Sequence, residues 1–466
     1  MQIEIVKRLI AEYAPGHAEF VKQFIVADRY YRNDTDILYK VPKKEEEGEN
    51  PLRNADNRIP FNFHGLLVNQ KASYLFTAPP VFDIGSDSAN KALVAFLGDK
   101  YPKVCKDLCI QAANATVGWI HVWRDPVQGY YKYAVVPSAQ IIPIWDMSLD
   151  RRLLGVLRCY PDVDEETGDH YTVYEYWTDT ECEAYMVRQD EEVQLGLMPR
   201  NMFSLPTGEP TNQMAHDIGE VPFFCFNNNN VGTSDLDNIK RLIDTYCDVF
   251  SGFANDLEDI QEVIFVLTNY GGQDLKEFLT DMKYYKTIKV DNDGDGDNSG
   301  VSTLTIDIPV EAREKLLEVT RKCIFEQGMG IDPDPENFGN SSGVALKFLY
   351  SLLELKSGLT ETEFRPSFGR FIRCICRINN IPIKDDTIGQ TWTRTAVTND
   401  QEQAQIAAQS MNVISKETVV RNHPWVDDAA AEMERIEEET QEALDREYEF
   451  MNGDVNGKED QNKETE

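Results

Sequence analysis

The sequence predicts an α+β chain, and three observations carry that prediction. Residues 117–231 hold stretches such as GWIHVWRD, YYKYAVV, YTVYEYW and CEAYMVR, which alternate in polarity and are rich in aromatic and β-branched residues. Residues 234–262 carry an apolar stripe at helical spacing for more than three heptads. Beyond residue 309, two helical stretches are split by a segment dense in proline and glycine. The 466 residues, at roughly 100–200 per domain, allow several domains.

The elements follow in order. Residues 1–32 read as an amphipathic helix, because Glu4 and Glu12 interrupt the apolar pattern a signal peptide would need. Residues 41–58 are a polar, proline-containing loop. NFHGLLVNQKASYLF reads as a helix ending before Pro79-Pro80, and 89–116 as one further helix. The antiparallel sheet region then occupies 117–231, closed by a short apolar strand at Val221–Phe224. Ser234 suits a helix N-cap, and Asp235 and Asp237 suit the positive end of the helix dipole. The stripe behind them is Leu236, Ile239, Ile243, Tyr246, Phe250, Phe253, Leu257 and Ile260. Its other faces are polar and acidic, including Asp244, Asp248, Asp256, Glu258, Asp259 and Glu262.

Residues 263–308 read as a compact insert. EVIFVLTN is a strand, QDLKEFLTDMKYY a short helix, and TIKV and VSTLTIDI strands around an acidic loop. A helix starts at Pro309, a favoured first helical position, and stops at Gly328–Gly330. The segment Asp332-Pro333-Asp334-Pro335-Glu336-Asn337-Phe338-Gly339-Asn340-Ser341 cannot be helical. VALKFLYSLLELK follows as a helix that Pro366 should kink or interrupt. GQTWTRTAV reads as a lone strand. QEQAQIAAQSM, SKETVV and AAAEMERIEEETQEALDREYEF read as two or three closing helices, with a polar, disordered tail over 451–466.

Composition excludes several classes. No run approaches the ~20 apolar residues of a membrane span. Nine scattered cysteines show no facing CxxC pairs, so the expectation is free thiols in a reducing compartment. The six histidines include no HExxH, and no P-loop, Rossmann glycine fingerprint or GxSxG is present. Asp291, Asp293, Asp295 and Gly296 imitate the start of an EF-hand, but Ser302 stands where the bidentate Glu belongs. They leave a weak metal candidate, and with it a metal-dependent hydrolase as a remote alternative; otherwise no cofactor and no enzyme activity are expected. The stripe alone also suits a closed coiled-coil bundle, a structural adaptor without a channel.

Several segments in order resemble bacteriophage portal proteins of the SPP1-like family. They are YYRNDTDIL (30–38), NRIPFNFHGLLVNQKASYLFTAPP (57–80), VPFFCFNNN followed by SDLDNIKRLIDTYCDVFSGFANDLEDI, FGNSSGVALKFLYSLLELK (338–356) and NVISKETVVRNHPWVDDAAAEMERIEEE. The second contains the pattern K-x-x-Y-L-F-x-x-P, with Thr77 where glycine is usual. The resemblance spans about residues 20–450 and rests on order and spacing more than on one motif. It implies a dodecameric ring at a capsid vertex, through which double-stranded DNA is packaged and ejected. The implied regions are a wing (1–233), first stem helix (234–262), clip (263–308), second stem helix (309–331) and tunnel loop (332–343). A long wing helix with a strand returning to the wing (344–399), a helical crown (400–450) and a disordered acidic tail (451–466) complete it. Asp332–Ser341 would then lie at the narrowest point, with Phe338 and Lys347 as possible DNA contacts. The implied partners are further copies of the chain, the terminase large subunit, head-completion proteins, and capsid and scaffold proteins. The implied location is the virion, with assembly in the host cytoplasm.

Charge needs care in this light. Lys+Arg number 46 and Asp+Glu 80, a net charge of -34. Such a chain is a poor gripper of phosphate, since tight nucleic-acid binding comes from neutralising phosphates. Residues 427–466 hold 16 acidic and 4 basic side chains, so they carry 12 of the 34 excess charges. A conduit through which DNA slides needs that lack of grip.

Overall fold

A computed structural model describes residues 3–41, 55–259, 264–268, 300–304, 309–333, 343–384, 388–394, 400–410, 413–421, 426 and 429–456, apart from the single positions 127, 166 and 206. They form two compact units, residues 1–332 with 352–394, and residues 333–351 with 395–466.

In the first unit, helix α1 (Ile3–Tyr31) serves two cores. Val6 and Ile10 pack with the sheet residues Ile144, Leu157 and Tyr185, while Ala27 and Tyr30 join Leu67, Ile239 and Ile243. Helix α2 (Phe63–Leu75) starts where Asn62 Oδ1 accepts from the Gly65 amide. Strand β1 (Val81–Asp83) follows. The helix expected over 89–116 is two, α3 (Asp87–Leu97) and α4 (Tyr101–Ala115). Gly98 turns left-handed with φ +62°, and Pro102 is tolerated only because a new helix begins there.

The expected sheet region holds two antiparallel sheets. Strands β2 (Val117–Arg124), β3 (Tyr131–Val136) and β12 (Phe223–Asn227) form one, in the order β12-β2-β3. The closing apolar strand is thus shifted two residues later than Val221, because Pro222 cannot donate to a ladder. Strands β4 (Ile141–Trp145), β5 (Leu153–Val163), β6 (His170–Trp177) and β7 (Glu181–Arg188) form the other. A single helical turn, α5 (Val193–Gly196), follows β7. The short strands β8 (Met198–Pro199) and β11 (Gln213–Ala215) pair with β7, and β9 (Phe203–Ser204) pairs with β10 (Pro210–Thr211). Trp119, Ile141, Val156, Trp177 and Phe223 fill the space between the two sheets.

Helix α6 (Lys240–Asp259) comes next, then β13 (Ile264–Thr268) and β14 (Gly300–Leu304), which pair antiparallel from Ile264↔Leu304 to Thr268↔Gly300. Both were expected in the insert; the third strand expected there, TIKV (287–290), lies outside the described residues. Helix α7 (Val310–Gln327) follows Pro309, which caps the helix in a non-helical conformation. Helix α8 (Gly343–Ile378) is one 36-residue helix that runs through Pro366. The expected interruption fails because Phe364, Phe368, Phe371, Ile372 and Ile375 are fully buried on one face. That packing outweighs the ~3 kcal/mol that an interior proline costs. Strand β15 (Gly389–Thr391) is neither lone nor returned to the large sheets: it pairs with β1.

The second unit contains the start of α8 and helices α9 (Asp400–Ser410), α10 (Lys416–Arg421) and α11 (Ala429–Asn456). Helix α11 extends six residues into the segment expected to be disordered. Among the described residues no helix is long and apolar enough to cross a membrane. All nine cysteines are free in this structure.

Candidate functional site

Helices α6 and α7 lie side by side, with the start of α7 against the end of α6. Arg313 pairs with Asp256, and its guanidinium lies 5.5 Å from the centre of the Phe253 ring. The chain enters α6 through a turn over 235–239, where the Ser234 amide and hydroxyl both donate to the Asp237 carboxylate at 2.8 Å. The predicted stripe then divides. Leu236, Ile239, Ile243 and Tyr246 are buried within the subunit, against α1, α2 and Phe325 of α7. Phe61 meets Tyr246 and Phe250 edge-on, at 4.9 and 4.8 Å. Phe253 is half-buried and Leu257 is 48% exposed; Ile260 lies outside the described residues.

The acidic positions of α6 reach solvent, but several are paired within the subunit. Asp244 accepts from Lys240 and Tyr30, Asp248 from Lys40, and Glu258 from Asn57. Side-chain bonding within the subunit has given partners to charges that periodicity alone leaves unpaired.

The end of α7 is built with care. Met329 takes φ +51°, the Gly330 amide reaches the Phe325 carbonyl at 3.0 Å, and the Met329 amide reaches Glu326 at 3.3 Å. This is the Schellman arrangement, with methionine where glycine is usual. The flanking glycines have another reason: a Cβ at Gly328 or Gly330 would overlap the Leu67 side chain of α2. Gln70, one turn along α2, donates to the Ile331 carbonyl at 2.7 Å and accepts from its amide at 3.0 Å. Arg321 then holds Asp332 through both carboxylate oxygens, at 2.9 and 2.5 Å.

Behind this exit lies a buried charge cluster that sequence reasoning did not select as a site. Lys71 and Lys356 flank Asp235 at 3.3 and 2.9 Å, and the three side chains are 1%, 11% and 6% exposed. Asn228 donates to Asp235 at 2.8 Å and accepts from Lys71. Lys356 also caps the Gly328 carbonyl at 2.9 Å. Burial alone would raise the Asp235 carboxyl, but Lys356 and Lys71 hold it well below its usual range. Burial lowers Lys356 in turn, against the pull of Asp235. His64 Nε2 donates to Asn114 Oδ1 at 2.7 Å, and burial lowers the imidazole to about 4. The signals existed in the sequence: Lys71 opens the K-x-x-Y-L-F pattern, Asn228 lies in the asparagine run, and Lys356 ends the helix motif. No local rule could bring the three together.

Of the remaining predicted positions, Pro333 is exposed and Lys347 stands in the second turn of α8. Asp334, Pro335, Glu336, Asn337, Phe338, Gly339, Asn340 and Ser341 lie outside the described residues, as do Asp291, Asp293 and Asp295 and the short helix expected over 273–285. Among the described residues no group of three His, Cys, Asp or Glu side chains is placed to hold a metal.

Comparison with known proteins places this geometry. The family model of phage portal proteins, SPP1 Gp6-like, matches residues 10–445. The portal protein of Clostridium phage phiCD119 is 41% identical over 444 residues, 92% of this chain and 94% of the relative. The portal protein of Bacillus phage SPP1 is 30% identical over 457 residues, 93% and 86% of the two chains. A chain from the neck of an empty GTA particle aligns with TM-score 0.45 at 10% identity, over 76% of this chain and 88% of its own. The match along nearly the whole sequence, and the two relatives that share it, establish that this chain belongs to the SPP1 Gp6-like family of phage portal proteins.

Proposed function

We propose that copies of this chain close into a ring, a dodecamer, at a capsid vertex, with α6 and α7 as stem helices around a passage for double-stranded DNA. In this reading 263–308 is the clip that docks the terminase motor during packaging and head-completion proteins afterwards. Residues 332–341 reach the passage, the two sheets belong to the wing, and 400–450 form the crown. The ring is a conduit and a docking platform in the virion, and catalysis is left to the motor.

One observation carries the assembly. Helices rich in charge leave apolar side chains uncovered within the subunit: Leu257 on α6, and Leu316 and Val319 on α7, at 48%, 46% and 47% exposure. Leu352, Leu355 and Leu359 of α8 repeat this at steps of three and four, with Leu355 and Leu359 each 53% exposed. Apolar residues in such rows are covered in stable assemblies, and a ring supplies the cover from the next copy. Family membership supports the rest, and so does the acidity, since fewer neutralised phosphates mean weaker retention of DNA.

Replacing both Leu316 and Val319 by glutamate tests it. The double variant should keep its helical circular dichroism but fail to form rings, by light scattering and electron microscopy. Rings of normal size from that variant would remove the observation on which the reading stands.

A further inference from the structure

Five residues, 328–332, carry the chain out of α7, and they are held from three directions. The Schellman arrangement already ends the helix, so the contacts from Gln70, Arg321 and Lys356 are not needed to terminate it. What they fix is direction. Gln70 gives one backbone residue both a donor and an acceptor, which a side-chain amide can do and a carboxylate or ammonium cannot. Arg321 grips Asp332 with two parallel bonds, a geometry that sets orientation as well as attraction. The pair is partly exposed, so its contribution to stability is small. Lys356 joins the Gly328 carbonyl to Asp235, just ahead of α6, and so ties the exit of one stem helix to the entry of the other.

We propose that Gln70, Arg321 and Lys356 are positioning residues that fix where and in which direction the chain leaves α7 for the 332–341 segment. The functional half of this inference rests on the reading of that segment as facing DNA. The anchor itself rests on geometry within the first unit alone.

The experiment uses the full chain assembled into rings and particles. Gln70→Leu keeps the size but loses both the acceptor for the Ile331 amide and the donor to its carbonyl. Hydrogen exchange at the Ile331 amide should quicken about fivefold to tenfold, the loss of the one hydrogen bond that protects it. Ring yield and unfolding midpoint should stay as in the parent, while the fraction of DNA-filled heads falls. Arg321→Asp should also lower filling, and the exchanged pair Arg321→Asp with Asp332→Arg should restore it. Unchanged exchange in Gln70→Leu, or an exchanged pair that fails to restore filling, overturns the proposal. Shortening 333–341 separates the two ideas. If shortening impairs filling while Gln70→Leu frees the Ile331 amide without affecting it, the positioning role is lost and the segment's role stands. If shortening is also without effect, the reading of the segment is what fails.

Discussion

At the scale of single residues, the chain hides charge where it joins its parts. Removing an ion from water costs several kcal/mol even after relaxation, so Lys71, Asp235 and Lys356 persist only because each meets the others and Asn228. His64 lies close enough to feel Asp235 and Lys356, and it is held neutral. Its pH consequence has a definite sign. The folded value near 4 lies below the ordinary 6.5, so the unfolded chain takes up the proton first as pH falls. Stability from this residue is complete above about pH 6.5 and is lost toward pH 4. Between pH 7 and 5.5 the loss should be about 1 kcal/mol, read as a falling urea midpoint at fixed protein concentration. His64→Gln, which can still donate to Asn114, should flatten that slope by the same amount. His121, lowered by burial to about 3, keeps a residual slope of the same sign. An unchanged slope in His64→Gln would assign the acid sensitivity elsewhere.

At the scale of elements, local signals and packing compete, and the outcome differs by helix. Gly98 and Pro102 divided what reads as one helix, because a left-handed glycine and a proline lie close together. Pro366 did not divide α8, because the buried phenylalanines on either side of it hold the two halves in line. Pro366 is itself exposed, and it leaves one backbone carbonyl of α8 without its helical donor. Pro366→Ala should therefore stabilise the chain by about 1–3 kcal/mol, measured by denaturant unfolding. A loss of stability instead would show that the proline bends α8 into a shape its packing requires. The stripe of α6 was legible as a periodicity, yet its first half packs inside the subunit while Leu257, near the end of the helix, is left exposed. Spacing reveals a face, not what will cover it.

At the scale of the whole molecule, conduit and assembly should be separable. Removing a few residues from 333–341 should leave ring formation intact by electron microscopy and reduce packaged or retained DNA. Loss of the ring would move that segment from passage to architecture. The net charge of -34 suits a conduit, because a chain so short of cations gives phosphate little to hold.

The α+β class, the sheet region, the two described strands of the insert, the long α6 stripe and the helical C-terminal end were all determined by sequence. Periods of two and of three to four residues are local properties, and turn residues mark their ends. The tertiary structure alone decided what lies far apart in sequence. It paired β15 with β1, joined Lys71, Asn228, Asp235 and Lys356, and set Gln70 on the backbone of Ile331. It also paired acids of α6 with distant partners such as Tyr30 and Lys40. Partners separated by hundreds of residues leave no periodic trace in one sequence, because only burial and geometry in the folded chain select them.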